Sequence, residues 1–370
     1  MRIAYVLTSL GRGGAERQVV ALAERMAARG HEVTLVVLRA CETHEWRTAV
    51  HVIRLDMAKS PVAAIRGFIC GQRFLDAFQP DLVHSHTFPA NIIARVLRLM
   101  GAAPTVLATI HNVYEGGWLR TFAYRLTDRL TVHTTAVSEA VAERYIRIGA
   151  VPRRRCSVIT NGIDTGEFSP TSEAASRARE LMRAEDDFVW LAAGRAVPAK
   201  DFDNLLAAFR VVHAENPRAR LWIAGERGKA PLGPFDGPEC GESNGVRWLG
   251  LRNNMPATIA AADAFVLSSA WEGMPLVVGE AMAMEKPVVA TDVGGVRELM
   301  GDAGLIVPAK DPDALAAAML RIMHISKDDR IAMGQAGRAR ICRHFDMRAK
   351  VEEWQALYEH LLGNRRKHVG

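Results

Sequence analysis

Short apolar runs and amphipathic stretches take turns along almost the whole chain, and this alternation is the strongest constraint on the fold. Short apolar runs bounded by Gly, Pro and polar turns read as buried strands. Longer stretches that are apolar at every third or fourth position read as helices. In the first half, strands are expected at 2–7, 33–38, 52–55, 82–86, 105–110, 135–137 and 156–159. Helices are expected between them at 15–29, 63–78, 91–100, 118–130 and 139–147. The second half repeats the pattern, with strands at 188–192, 220–224, 246–249, 264–267, 288–291 and 305–307. Its helices fall at 203–215, 255–261, 275–284 and 312–324, and 330–362 reads as one last long helix. Strand–helix alternation of this kind builds parallel sheets with helices on both faces, an α/β fold.

A chain of 370 residues is long for one such unit, and two domains are the default. The turn Asn161-Gly162-Ile163-Asp164, followed by a polar segment, marks the boundary. Residues 1–163 then form the first domain and 164–347 the second, with a crossover helix at about 348–370 returning to the first. No apolar run approaches the roughly 20 residues that span a bilayer. The stretch 1–7 enters a strand without the apolar segment and small-residue cleavage site of a signal peptide. Five scattered cysteines form no Cys-x-x-Cys pair, so neither a disulfide framework nor a zinc site is indicated. A cytoplasmic protein is expected.

Charge is unevenly placed. Residues 1–155 hold 21 Lys+Arg against 12 Asp+Glu, and the remainder hold 26 against 29. The basic first half implies an anionic partner of its own. Neither a nucleic-acid motif nor a basic stripe interleaved with aromatics is present. An anionic lipid or lipid-linked substrate fits better than nucleic acid. The helix at 118–130 carries Arg120, Arg125 and Arg129. It either faces a membrane with these residues toward lipid phosphates or packs on its own sheet with them solvated.

Three stretches carry chemistry. Gly11-Arg12-Gly13-Gly14-Ala15-Glu16 follows the first strand and opens a helix, a place where backbone N–H groups can meet a phosphate. It is not a dinucleotide fingerprint: position 16 is Glu, and Leu38-Arg39-Ala40 offers no acid at the end of the second strand. Gly194-Arg195-Ala196-Val197-Pro198-Ala199-Lys200 follows the first strand of the second half, with two cations around a small-residue loop. Arg195 can fork onto phosphate oxygens and Lys200 can add a point charge. The third stretch is Trp271 to Pro287, where Glu272 sits in a loop after a strand and Glu280 on the helix that follows. Pro275 suits the first turn of that helix. Two carboxylates near a cationic pair suit a phosphorylated sugar, with cations on phosphate and carboxylates on hydroxyls. Asp201-Phe202-Asp203 and Asp311-Pro312-Asp313 sit where helix caps belong, not where a metal-holding pair would.

Taken together and in order, Gly13-Gly14-Ala15-Glu16-Arg17, Asn161-Gly162-Ile163-Asp164, Gly194-Arg195 with Lys200, and Glu272-x7-Glu280 resemble the retaining family-4 glycosyltransferases of GT-B fold. The resemblance covers essentially the whole chain. Val83-His84-Ser85-His86 and Ala290-Thr291-Asp292-Val293-Gly294-Gly295 look like its bacterial polysaccharide and glycolipid members. It implies two Rossmann-like domains facing across a cleft, the acceptor mainly on the first and a nucleotide sugar, UDP-linked, on the second. Arg195 and Lys200 would hold the donor diphosphate, and Glu280 the ribose. Glu272 would take hydroxyls of the donor sugar, with the backbone of Gly273, Met274, Pro275 and Leu276 around sugar and phosphate. Arg252, Asn253 and Asn254 match the loop that cups the base. Gly14 would let the first domain's backbone approach the diphosphate. His111 matches the active-site histidine beside sugar and acceptor, and Glu16, His84 and His86 fall on the acceptor side. Alternate strand residues face opposite ways, so one of His84 and His86 is expected to point into the cleft.

The resemblance further implies transfer to a lipid-linked or cell-envelope glycan by front-face displacement, with no metal and no cofactor beyond the nucleotide sugar. Arg195 and Lys200 would stabilise the leaving diphosphate. Two departures stand out. Glu226-Arg227-Gly228 leads into a loop at 226–244 where the family usually has a second Gly and a helix, and the spacing from Arg195 to Lys200 is short. A nucleotide-sugar epimerase or hydrolase of the same fold, or a non-catalytic sugar-nucleotide binding module, are the competing readings.

Overall fold

The computed structural model describes the chain except at residues 12, 40–47, 58–59, 104, 171–186, 228–243 and 370, with side chains described up to 363. Cys41, Cys240 and most of the loop at 226–244 lie outside the described residues. Two compact units emerge, Met1–Gly162 with Arg348–Gly370, and Ile163–Met347.

The first unit contains β1 (Arg2–Leu7), α1 (Gly14–Ala28), β2 (Glu32–Val37), β3 (His51–Arg54), α2 (Pro61–Phe78), β4 (Leu82–His86) and α3 (Phe88–Leu99). It continues with β5 (Val106–Ile110), α4 (Trp118–Thr127), a 3₁₀ turn at Asp128–Leu130, β6 (His133–Ala136), α5 (Glu139–Arg147) and β7 (Cys156–Val158). Its sheet is parallel, in the order β3-β2-β1-β4-β5-β6-β7. The chain reverses direction across the sheet between β1 and β4, and such a switch point opens a crevice at the strands' C-terminal ends. Helices start where side chains can cap them: Ser60 accepts from the Ala63 N–H at 3.1 Å, and Ser138 from that of Val141 at 3.3 Å. One face of the sheet packs Ala4, Val6, Val83 and Val106 against Leu75, Ala94 and Leu97 of α2 and α3.

The second unit contains β8 (Phe188–Ala193), a 3₁₀ turn at Pro198–Lys200, α6 (Phe202–Glu215), β9 (Ala219–Ala224), β10 (Val246–Gly250), α7 (Met255–Ala261), β11 (Ala264–Leu267) and α8 (Leu276–Ala283). After these come β12 (Val288–Thr291), α9 (Val296–Met300), β13 (Leu305–Val307), α10 (Pro312–His324) and α11 (Lys327–His344). The sheet order is β10-β9-β8-β11-β12-β13, again all parallel, with its switch point between β8 and β11. Trp190, Leu221, Ile223 and Val266 of the sheet pack against Leu205 and Phe209 of α6 and Met319 of α10.

The expected helix at 330–362 is two helices, α11 and α12 (Met347–Val369). Ile163 breaks it: its N–H bonds to the Phe345 carbonyl at 2.8 Å, and its carbonyl accepts from the Met347 N–H at 2.9 Å. The 118–130 helix turns 3₁₀ at its end, where Arg155 binds the Asp128 carboxylate and the Thr131 carbonyl. Pro275 precedes its helix as the N-cap instead of lying inside the first turn. Asp311 caps α10 as expected, accepting from the Ala314 N–H at 2.9 Å. Asp201 stands at the N-cap of α6 in left-handed conformation and makes no side-chain cap bond. The short helix α9 lies outside the helices expected from the sequence.

Candidate functional site

In the second unit the loops that leave β8 and β11 meet at the switch point. Gly194 follows β8 directly, and its N–H bonds to the Ala224 carbonyl at 2.9 Å. The backbones approach so closely here that a Cβ on Gly225, at φ +146, would overlap the Gly194 carbonyl. The turn at Pro198–Lys200 then carries the chain across to β11. The Ala270 N–H donates to the Ala199 carbonyl at 2.8 Å, and Ser268 Oγ to the Lys200 carbonyl at 2.9 Å.

These bonds aim Lys200 at Glu272. Lys200 Nζ lies 2.5 Å from Glu272 Oε1, and the side chains are 20% and 11% exposed. Ser269 Oγ donates to the same oxygen at 2.7 Å, and Thr291 Oγ1 ties the Ser269 carbonyl at 2.7 Å. Gly273, Met274, Pro275 and Leu276 are buried beside the pair, and the Gly295 N–H holds the Gly273 carbonyl at 2.8 Å. The helix that follows, α8, is buried almost all round and apolar apart from Glu280, itself buried. A carboxylate in an otherwise apolar buried helix is costly to keep for stability alone. Charged hydrogen bonds around one carboxylate oxygen make a rigid anchor for polar groups.

Lys200, Glu272 and the backbone at 273–276 are thus brought together, with Glu280 in the helix that leaves them. Arg195 stands exposed on the loop after β8. Arg252, Asn253 and Asn254 lie exposed past β10 at the sheet edge, two strands from the switch point. The Asn254 side chain caps α7, accepting from the Ala257 N–H at 3.0 Å. Ser269 was missed by sequence reasoning, although it stands three residues before Glu272. Among the described residues no group of three or more His, Cys, Asp and Glu side chains is arranged to hold a metal ion.

In the first unit Gly14 opens α1 beyond Gly13. Glu16 lies on the first turn with its carboxylate against Gly11 and Gly13, where it complements the helix N-terminus.

The expectation that only one of His84 and His86 faces a given side is corrected. Residues two apart on a strand share a face, and the two rings lie 4.0 Å apart. His84 belongs to the interior: Nδ1 meets Tyr358 Oη at 2.7 Å and Nε2 meets Thr109 Oγ1 at 2.6 Å. His86 Nδ1 meets Nε2 of half-buried His111 at 3.0 Å. Burial holds all three imidazoles below their usual range, His111 down to about 4. The His111 N–H donates to Glu115 Oε1 at 3.2 Å, and Tyr124 Oη donates to Glu115 Oε2 at 2.7 Å. Burial lifts the Glu115 carboxyl to about 7. Glu115 was not anticipated. Its signal was a lone acid in the loop between the strand ending at His111 and an arginine-bearing helix.

Residues 12–167 match the model for glycosyltransferase family 4, and residues 187–324 the model for glycosyl transferases group 1. The chain is 25% identical to the UDP-Gal:alpha-D-GlcNAc-diphosphoundecaprenol alpha-1,3-galactosyltransferase of Escherichia coli, over 83% of this chain and 82% of that protein. It is 28% identical to the D-inositol 3-phosphate glycosyltransferase of Thermobispora bispora, over 95% of this chain and 90% of the other. Among solved structures, sucrose-phosphate synthase from Thermosynechococcus elongatus superposes with a TM-score of 0.83 at 20% identity, covering 98% of this chain and all of that one. HepE from Anabaena, in complex with UDP and glucose, gives 0.81 at 20% identity, covering 96% and 99%. These structures share the fold, two parallel-sheet α/β domains of GT-B type. With both units matched to glycosyltransferase models and relatives along most of its length named as glycosyltransferases, the chain belongs to the family-4 glycosyltransferases of GT-B fold.

Proposed function

We propose that the protein transfers a sugar, with retention and without a metal, from a UDP-sugar to a lipid-linked or cell-envelope glycan. The observation that carries this reading is the Lys200–Glu272 pair at the β8/β11 switch point, with Glu280 in the helix beyond it. Breaking the donor's bond builds negative charge on the diphosphate while the sugar becomes cationic at its anomeric carbon. Arg195 and Lys200 hold the diphosphate and stabilise that charge, the step where fixed electrostatics contribute most. Glu272 orients Lys200 and takes sugar hydroxyls, and Glu280 takes the ribose. The leaving phosphate accepts the acceptor's proton on the face it departs from. His111 hydrogen-bonds sugar or acceptor. The base lies against the loop at 252–254, with the backbone of Arg252 and Asn253 contributing more than the Asn254 side chain, which caps α7.

A UDP donor and a lipid diphosphate acceptor are the substrates named for the E. coli relative, and they support the same classes here. Thermal shift against UDP-, GDP- and ADP-sugars tests the donor. The UDP-sugar is expected to raise Tm most, and Glu280→Ala to abolish the shift. A protein stabilised by none of the three, or equally by all, contradicts the assignment. Release of free sugar at full rate without acceptor would favour the hydrolase reading.

The reading includes peripheral contact between the basic first unit and an anionic membrane. Support comes from α4, where Tyr124 faces the core and the opposite side is apolar yet open. Trp118, Leu119, Phe122 and Leu126 are 75%, 64%, 57% and 72% exposed. Their spacing puts them on one stripe, with Arg125 and Arg129 beside it. No helix among the described residues is long and apolar enough to cross a membrane. In vesicle sedimentation the protein is expected to pellet with phosphatidylglycerol and not with phosphatidylcholine. Trp118→Ser with Phe122→Ser should weaken binding by about tenfold or more. Unchanged pelleting by that variant, or a dimer formed through the stripe without lipid, overturns this part.

A further inference from the structure

His86 packs its ring 4.0 Å from that of His84 and is 2% exposed, and among the groups assigned above it hydrogen-bonds His111. Its Nδ1 stands 3.0 Å from His111 Nε2, and its Nε2 is buried with no hydrogen-bond partner among the described residues. His84 does not serve that nitrogen, because Tyr358 and Thr109 engage both of its own. One proton lies between His86 and His111, and two arrangements are conceivable. If His111 donated, neutral His86 would carry its proton on Nε2, leaving a buried N–H with nothing to bond. If His86 donates, its Nε2 keeps only a bare lone pair. Orphaned N–H groups are rarer in folded proteins than under-satisfied acceptors, so the second arrangement is favoured.

We propose that His86 is a positioning residue: donating from Nδ1 to His111 Nε2, it holds His111 as the tautomer with its proton on Nδ1, a hydrogen-bond donor at the end of β5. With Nε2 engaged, His111 contributes an N–H toward a substrate oxygen and does not act as the base. Glu115 fixes the other end of the residue through the His111 backbone N–H, and Tyr124, itself bonded by Asn91 at 2.9 Å, fixes Glu115. Burial keeps both imidazoles uncharged, so a single neutral tautomer is selected. The functional half rests on the reading that His111 meets substrate; the tautomer does not.

The test uses the full chain labelled with ¹⁵N in its histidine rings. Long-range ¹H–¹⁵N spectra, assigned by comparison with His111→Ala, report which nitrogen bears the proton. The expected result is a protonated Nδ1 and a bare Nε2 on His111; a protonated Nε2 overturns the proposal. Kinetics supply the second readout. His86→Phe removes the donor and is expected to lower kcat about tenfold to a hundredfold, with KM for the UDP-sugar changed less than about threefold. His86→Asn keeps an N–H near the Nδ1 position and should restore kcat to within about threefold of wild type. If His86→Phe fails to fold, the wild-type spectrum and His86→Asn still decide. Wild-type kcat in a folded His86→Phe overturns the positioning role. Wild-type kcat in His111→Ala removes the assignment of His111 to substrate and leaves the tautomer result standing, so the two failures are distinguishable.

Discussion

Lys200→Ala is expected to lower the rate of sugar transfer by about 10²–10³-fold while the protein stays folded. The ammonium is the cation fixed closest to Glu272, at 2.5 Å, and the turn that carries it is locked by Ala270 and Ser268. If Lys200 holds the leaving diphosphate as proposed, its removal takes away charge placed in advance for that step, so kcat is expected to fall more than donor affinity. Glu272 keeps its bond from Ser269. Because both members of the pair retain some exposure, the loss of stability is about 1–2 kcal/mol, less than for a fully buried pair. Lys200→Arg does not restore activity, since a planar fork cannot replace a point charge in this turn. Steady-state kinetics with a thermal melt on each variant are the check. A folded Lys200→Ala enzyme at wild-type turnover removes Lys200 from the site.

Gly294→Ala is expected to be among the most damaging single methyls in the second unit. Gly294 has φ +54, and a Cβ there would overlap the Glu272 carbonyl and press on that of Gly273. Neither neighbour can move independently, because the Gly295 N–H holds the Gly273 carbonyl at 2.8 Å. Left-handed strain and overpacking together cost about 2–5 kcal/mol, a fall in Tm of roughly 5–15 °C for a unit of this size. Activity falls as well, since the displaced backbone carries Glu272. Gly30→Ala is the control. Its φ is +83, but nothing lies within 4 Å of the added carbon, so only the conformational strain is felt. Equal melting temperatures for the two variants would contradict the packing argument.

Most of the fold was legible because parallel strands buried on both faces leave an unmistakable record. Val33–Val37 and Val288–Ala290 can scarcely be anything but interior strand. The ends of helices were less legible. Ser60 moved one start toward the N-terminus by capping, and Ile163 split the last helix by taking backbone bonds from a position remote in sequence. The site divided along the same line. Lys200, Glu272 and Glu280 stand on segments whose spacing and turn residues betray them. Ser269 and Glu115 do not, because what gives them meaning is a partner brought close by folding: the Glu272 carboxylate for one, the His111 backbone and Tyr124 for the other. The paired histidines were misread for a simpler reason, since strand periodicity puts 84 and 86 on one face.

Glu272 and Glu280 could have been an acid/base pair by their residue types alone. The contact with Lys200 argues otherwise for Glu272, whose Oε1 already accepts from two donors. A carboxylate so engaged is better suited to orienting groups than to attacking an anomeric carbon.

The most direct measurement is the anomeric configuration of the product, read by the ¹H NMR coupling of the transferred sugar after reaction of a UDP-α-sugar with a lipid-diphosphate-linked acceptor in excess EDTA. The account predicts an α-linked product formed at the undiminished rate. A β-linked product, or transfer that stops in EDTA and returns with added Mg²⁺ or Mn²⁺, would contradict it.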